Sequence, residues 1–158
     1  MYIDTHCHIY NNVIIGNNVK IGSSTIIGGL GFGYSRDNKN KLHRFPHIGG
    51  VIIGDEVEIG SNTSIDRGSL SDTIIKNGVK IDNLVHIAHN VIIGRDSLII
   101  ANSVLCGSCI IGERTWIAPS VCIKNGIIIG NDVVVGIGAI VTKNITDNES
   151  WIGNPARP

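Results

Sequence analysis

A period of six governs this chain. Counting by six from Ile3 meets Ile9, Ile15, Ile21 and Ile27; the series resumes at Ile53, Ile59 and Ile65. After a second break it runs through Ile75, Ile81, Ile87, Ile93, Ile99, Leu105, Ile111, Ile117, Ile123, Ile129, Val135 and Val141. Every position in it is aliphatic. Gly follows directly at 16, 22, 28, 54, 60, 94, 112, 130 and 136, where a tight turn leaves no room for a side chain. Four places after the aliphatic position come small or β-branched residues, among them Val19, Thr25, Val57, Thr63, Val85, Ser97, Ser103 and Thr115. Six matches neither the helical period near 3.6 nor the strand period of 2. It does match a short strand plus a turn wound repeatedly into a solenoid. The expected fold class is therefore all-β: a single-domain parallel β-helix over 1–158 with three hexads per coil and coils stacked at about 4.8 Å, which makes about seven coils.

Composition agrees with that architecture. Aliphatic side chains must fill the core, because hydrophobic residues make up 42% of the chain and aromatic ones only 4%. Thirteen Lys and Arg balance 13 Asp and Glu, so bulk charge offers no surface for a polyanion, and nucleic acid is not an expected partner. No apolar run approaches the ~20 residues of a membrane span, and no basic segment leads an apolar one, so a cytoplasmic protein is expected. Cys7, Cys106, Cys109 and Cys122 do not form a secreted disulfide pattern. Cys106 and Cys109 make a lone C-x-x-C, better explained as small packed side chains than as half of a zinc site, and no metal is expected.

The two breaks fall three hexads apart, after Ile27 and after Ile65, hence on one corner of the prism. The C-terminal tail, 143–158, leaves from the same corner. Residues two places after each aliphatic position form an outward column there: Gly29, Arg67, His89, Gly107, Asn125 and Lys143. Loops and a histidine converge on that edge, which makes it the expected site. The long excursion, 28–52, carries Arg36, Lys39, Lys41 and Arg44 against Asp37, a basic, mobile tip that could hold phosphates. Its G-x-G-x-G run precedes no helical pattern and is not a dinucleotide fingerprint. Of the six histidines, His89 stands out because the column points it outward, and imidazole is the side chain suited to proton transfer near neutrality.

These residues also carry a family resemblance. The hexads of the form aliphatic-Gly-x-x-small-x resemble those of the left-handed β-helix proteins, and the left hand is taken from that likeness alone. G-F-G-Y at 31–34, S-I-D-R-G at 64–68, K-I-D-N at 80–83 and I-A-H-N at 87–90 are similar to the catalytic core of the UDP-3-O-acylglucosamine N-acyltransferases. I-A-H-N is shared with the related UDP-N-acetylglucosamine O-acyltransferases. The resemblance implies His89 as general base and the Gly107 N–H, eighteen residues on, as oxyanion donor, the same two positions that the column brings together. It implies Asp66, Asn83, His86 and Asn90 as residues that contact substrate or orient the imidazole, and a homotrimer with sites between neighbouring prisms. The family's N-terminal uridine-binding domain, its helical C-terminal extension and a second histidine near Lys124-Asn125-Gly126 have no counterpart in these residues.

The ending W-I-G-N-P-A-R at 151–157 instead resembles coenzyme A-dependent hexapeptide acetyltransferases, with Gly153, Asn154, Pro155 and Ala156 along the pantetheine channel. The expectation is acyl transfer, with acetyl-CoA as co-substrate and no tightly bound cofactor, onto the amine of a nucleotide-linked amino sugar for a bacterial surface glycan. Two alternatives stand beside it. One is the N-acyltransferase proper with an acyl carrier protein donor. The other is a zinc enzyme of the γ-carbonic anhydrase type, for which His86 and His89 supply two ligands and the sequence offers no third on an adjacent coil.

Overall fold

The computed structural model describes residues 1–158, and every regular element in it is a strand. Short strands of mostly two or three residues stack into three flat parallel walls of eight, seven and six strands. The first wall runs from Tyr2–Ile3 to Ser150–Trp151, the second from His8–Ile9 to Ile140–Val141, the third from Val13–Ile15 to Ile128–Ile129. Each strand pairs in register with the one a coil away, so Ile87 lies between Ile65 and Leu105, and Ile93 between Ile75 and Ile111. The repeating aliphatic position points into the prism. Ile27, Ile65, Ile87, Leu105, Ile123 and Val141 form one fully buried ladder, part of a core cluster of 31 residues.

The small position of the hexad is buried as well, and its hydroxyls do not go unsatisfied. Thr25 donates to the Gly60 carbonyl at 2.6 Å, Thr63 to Asp82 at 3.0 Å, Ser97 to Gly112 at 2.8 Å and Thr115 to Gly130 at 2.8 Å. Each bond ties one coil to the corner of the next, so polar groups are buried at little cost.

The glycines that follow the aliphatic residue have no room for a side chain, as the hexad suggests. Apart from Gly28, with φ of 85°, they are not where the chain takes up left-handed backbone. That falls three places after it, at Asn12, Asn18, Ser24, Asn62, Leu84, Asn90, Asp96 and Asn102, all with φ between 55° and 64°. The glycines permit close stacking instead: a Cβ on Gly94 would lie 2.4 Å from the Gly112 carbonyl carbon, and one on Gly112 would lie 2.3 Å from the Gly130 oxygen.

The C-terminal segment does not leave the prism after Val141. Ile145 bridges to Ile129 on the third wall, and Ser150–Trp151 adds an eighth strand to the first, so the coil runs on for two more sides. Ile145, Trp151 and Ala156 are buried and close the end of the core. The long excursion is likewise ordered: Tyr34–Arg36 and Leu42–Arg44 pair as an antiparallel hairpin. Its acid, Asp37, is held below the usual carboxylate range by the His43 ring at 2.8 Å and by the Lys41 and Lys39 N–H groups. No helix is long and apolar enough to cross a membrane.

The stacked ladder predicts an uneven response to truncation. Ile87→Ala should cost ~2–5 kcal/mol in denaturant unfolding, because the rungs above and below prevent collapse of the cavity. Leu70→Ala, on the 72% exposed side chain of the short bulge, should stay within ~0.5 kcal/mol.

Candidate active site

All three departures from strict repetition touch the second wall. The excursion leaves it after Ile26–Gly29 and returns to the third wall at Val51; the short bulge follows Ser64–Asp66. Between them lies a hollow of about 210 Å³, lined by Phe32, Asp66, His86, Ala88, His89, Cys106, Gly107 and Asn125. Of the outward column, His89, Gly107 and Asn125 are therefore in one place. Arg67 is not. Its side chain folds inward, 8% exposed, with Nε donating to the Gly28 carbonyl at 2.7 Å and Nη2 to both oxygens of Asn11 at 3.0 and 2.8 Å.

The stacking of His89 on Gly107 is close. A Cβ on Gly107 would lie 2.6 Å from His89 Cε1 and 2.7 Å from Nε2, so the imidazole occupies the space that any other residue there would fill. At several equivalent places on the other corners the backbone N–H is taken by a side chain of the next coil: Ser61 by Asn83 Oδ1 at 2.7 Å, Glu113 by Asn131 Oδ1 at 2.8 Å, Asn131 by Asp147 Oδ1 at 2.8 Å. The Gly107 N–H donates to no protein acceptor. It is a free donor on the floor of the hollow, beneath the ring.

The tautomer of His89 follows from its neighbour. Asn90 sits at a left-handed corner, a conformation that Asn tolerates well. Its Nδ2 donates to the Ser71 carbonyl at 2.8 Å and Oγ at 2.9 Å, while its Oδ1 accepts from the Ser69 N–H at 3.0 Å and Oγ at 2.7 Å. Those four bonds define which end of the amide is oxygen. Oδ1 also faces His89 Nδ1 at 3.0 Å, so Nδ1 carries the proton and Nε2 the lone pair. The short bulge thus has a structural task, to hold Asn90.

Asp66 is the other charged group of the hollow. The strand register shifts between Ile65 and Asp66 where they pass Ile27 and Gly29, and such a bulge re-aims a side chain. The residue is 7% exposed, yet its carboxylate accepts no hydrogen bond from the protein; the nearest cationic atom is His86 Nε2, 3.8 Å from Oδ2. Burial pushes its pKa up, and the nearby His86, His89 and His47 rings offset this only in part.

His47 escaped the repeat because it lies on the excursion. It is 6% exposed, donates from Nδ1 to the Phe45 carbonyl at 2.9 Å and stacks edge-on against His89 with ring centroids 5.3 Å apart. Gly31 and Gly33 admit it: Cβ atoms there would lie 2.6 Å from Nε2 and 3.1 Å from Cε1 of its ring. The closely spaced glycines of G-F-G-Y were the available signal. Asn83 lies elsewhere, exposed on the corner after the first wall, where its Oδ1 serves the Ser61 turn. Gly153–Ala156 flank the last strand of the second wall, with Gly153 O accepting from Ile140 N at 3.0 Å and Ala156 N donating to Ile140 O at 2.8 Å. That is four rungs from His89, about 19 Å along the same wall. Cys109 is buried and pushed up to about 11 by desolvation, an inert packed thiol, and no three His, Cys, Asp or Glu side chains are grouped as a metal site.

The model of the family described as "Bacterial transferase hexapeptide (six repeats)" matches residues 72–107, so this part of the chain is similar to the hexapeptide-repeat proteins. Its sequence is 40% identical over 147 residues to a UDP-3-O-acylglucosamine N-acyltransferase of Methylobacterium nodulans, covering 93% of this chain and 42% of that protein. A second enzyme of that name, from Hahella chejuensis, is 40% identical over 161 residues, covering 94% and 46%. The chain thus spans less than half the length of these curated relatives. Among solved structures, a UDP-N-acetylglucosamine acyltransferase from Bacteroides fragilis superposes with a TM-score of 0.86 at 24% identity, over 98% of this chain and 58% of that one. The fold is that left-handed β-helix.

Asp66 generates a stability prediction whose sign is fixed. A carboxyl with a raised folded pKa binds its proton more tightly in the folded state, so its ionisation lowers stability as pH rises from the unfolded value of 3.8 through the folded one. Asp66→Asn should therefore melt at a higher temperature than the parent at pH 7, and the gain should vanish when scans are repeated below pH 3.8.

Proposed function

We propose that this chain catalyses transfer of an acyl group from a thioester to the amine of a nucleotide-linked amino sugar, in lipid A or related surface-glycan synthesis. The observation that carries this is the pairing of a lone-pair nitrogen, His89 Nε2, with an unpartnered N–H, that of Gly107, on adjacent rungs of one wall. Attack on a thioester carbonyl builds negative charge on oxygen and leaves a surplus proton on nitrogen, and the hollow has one group for each. The Gly107 N–H receives the oxyanion. His89 takes the proton from the attacking nitrogen and hands it to the departing thiolate, so no covalent enzyme intermediate is needed. Asn90 holds the ring in the required tautomer.

The hollow is smaller than the ~300–1,000 Å³ of a pocket that engulfs a whole ligand, so it takes only the reacting ends of two substrates. The remainder lies along the wall and against a neighbouring chain, in a homotrimer. The third wall supports that assembly, because its outward positions are all isoleucine: Ile14, Ile52, Ile74, Ile92, Ile110 and Ile128. For the donor we propose acetyl-CoA, with Gly153, Asn154, Pro155 and Ala156 beside a pantetheine arm that spans the four rungs to His89. The names of the sequence relatives favour a second reading, a UDP-3-O-acylglucosamine acceptor with a longer acyl group on acyl carrier protein.

A thiol-release assay that crosses acetyl-CoA and acyl-carrier-protein donors with nucleotide amino sugars tests both readings. His89→Ala should lose ~10²–10⁴-fold in turnover, and Gly107→Ala, which drives a methyl into the ring, at least ~100-fold, with both variants as well folded as the parent. Parental rates in either would remove the assignment.

A further inference from the structure

Transfer to an amine differs from transfer to a hydroxyl by one proton. The acceptor reaches the site as R–NH₃⁺, and the overall change is R–NH₃⁺ + R′CO–SR″ → R′CO–NHR + R″SH + H⁺. His89 returns what it takes, because the proton it removes from the attacking nitrogen leaves on the thiolate sulfur. The ammonium must lose a different proton first, before its nitrogen has a pair of electrons to donate, and that proton leaves the site for good. A second acceptor with a route to solvent is required, and His89 cannot fill that post in the same turnover.

We infer that Asp66 receives the substrate ammonium and, with His86, carries its first proton out of the hollow. The inference rests on the proposed transfer to an amine and adds the residue that makes the amine the preferred acceptor. Four observations carry it. The carboxylate is nine-tenths buried, lines the hollow and has no hydrogen-bond donor from the protein, so the hollow holds an unfilled place for a donor or cation. The bulge at Ile65/Asp66 aims it there. Its one neighbour within ion-pair distance, His86, lies 3.8 Å away with a side chain 43% exposed, a relay from the hollow to water. Lastly, the adjacent Arg67, the obvious structural counter-ion, is turned away and satisfied by carbonyls of the two preceding coils.

The groups that face Asp66 are few. His86 and His89 come from the next rung and His47 from the excursion; Cys106 lines the same hollow. Burial favours the protonated carboxyl, which suits a group that must accept a proton and pass it on. In sequence, the ammonium hydrogen-bonds Asp66, one N–H pair stays on nitrogen as the lone pair while its proton moves through the carboxylate to His86 and out, and the free amine attacks the thioester carbon. The carbonyl electrons move to the oxygen over Gly107. Collapse re-forms C=O, breaks C–S and delivers the second proton from His89 to sulfur.

The test is the pH dependence of kcat/KM for the amine acceptor in the parent, Asp66→Asn and His86→Ala. Without its carboxylate the enzyme must wait for amine that has lost its proton in solution. Asp66→Asn should fall about 10-fold at pH 7, by the ratio of ammonium to free amine, and its rate should climb with pH until the pKa of the acceptor amine itself, where most of the deficit is recovered. His86→Ala should show the same displacement of the acidic limb to a smaller extent. If both variants keep the parental profile at a uniformly reduced rate, Asp66 is structural and the inference is overturned while transfer to an amine stands. A parent enzyme that acylates no amine would sink the proposed function, and the inference with it.

Discussion

The hydrogen bonds between successive coils determine everything else in this molecule. Each coil advances by one strand spacing, so a residue and its counterpart one coil later are brought to within a few ångströms without any further device. Where glycine follows the aliphatic position, it maintains that spacing as backbones from adjacent coils meet. A six-residue slip would move His89 to another wall; a regular coil leaves it on Gly107. The active geometry is thus a consequence of register, shared with the core ladder from Ile27 to Val141 rather than built by a separate set of contacts.

The same regularity explains what could be read from the sequence. The aliphatic series, its grouping by threes and the shared corner of the two insertions were all visible, and with them the column that contains His89, Gly107 and Asn125. What the repeat could not convey was anything set by contacts away from it. The inward turn of Arg67 depends on carbonyls of Gly28 and Asn11, one and two coils earlier. The position of His47 depends on the path of the excursion, whose basic tip proves to be a paired hairpin because Tyr34–Arg36 finds Leu42–Arg44. Nor does the period foresee that Val141 is not its end, since Ile145 and Trp151 continue the coil at altered spacing. Asn83 shared a motif with the site residues, but one corner separates it from them.

Where the hollow departs from the satisfied, close-packed rule of the interior, it does so in the direction of chemistry. Buried hydroxyls of the hexad find carbonyls, and buried Arg67 finds three oxygens. Asp66 alone among the buried polar side chains has no donor from the protein, and the Gly107 N–H has no acceptor. Two groups of opposite hydrogen-bonding character, on either side of one histidine, are thus left to the hollow instead of to protein partners.

The account stands on the state of one ring. In ¹⁵N-labelled protein, long-range proton–nitrogen correlation spectra of the histidines resolve which nitrogen of each neutral ring carries hydrogen. The neutral His89 ring should carry its proton on Nδ1 and leave Nε2 bare, with that preference lost in Asn90→Ala. A neutral His89 that holds its proton on Nε2 in the parent protein would contradict it, because the ring would then have no lone pair facing the hollow.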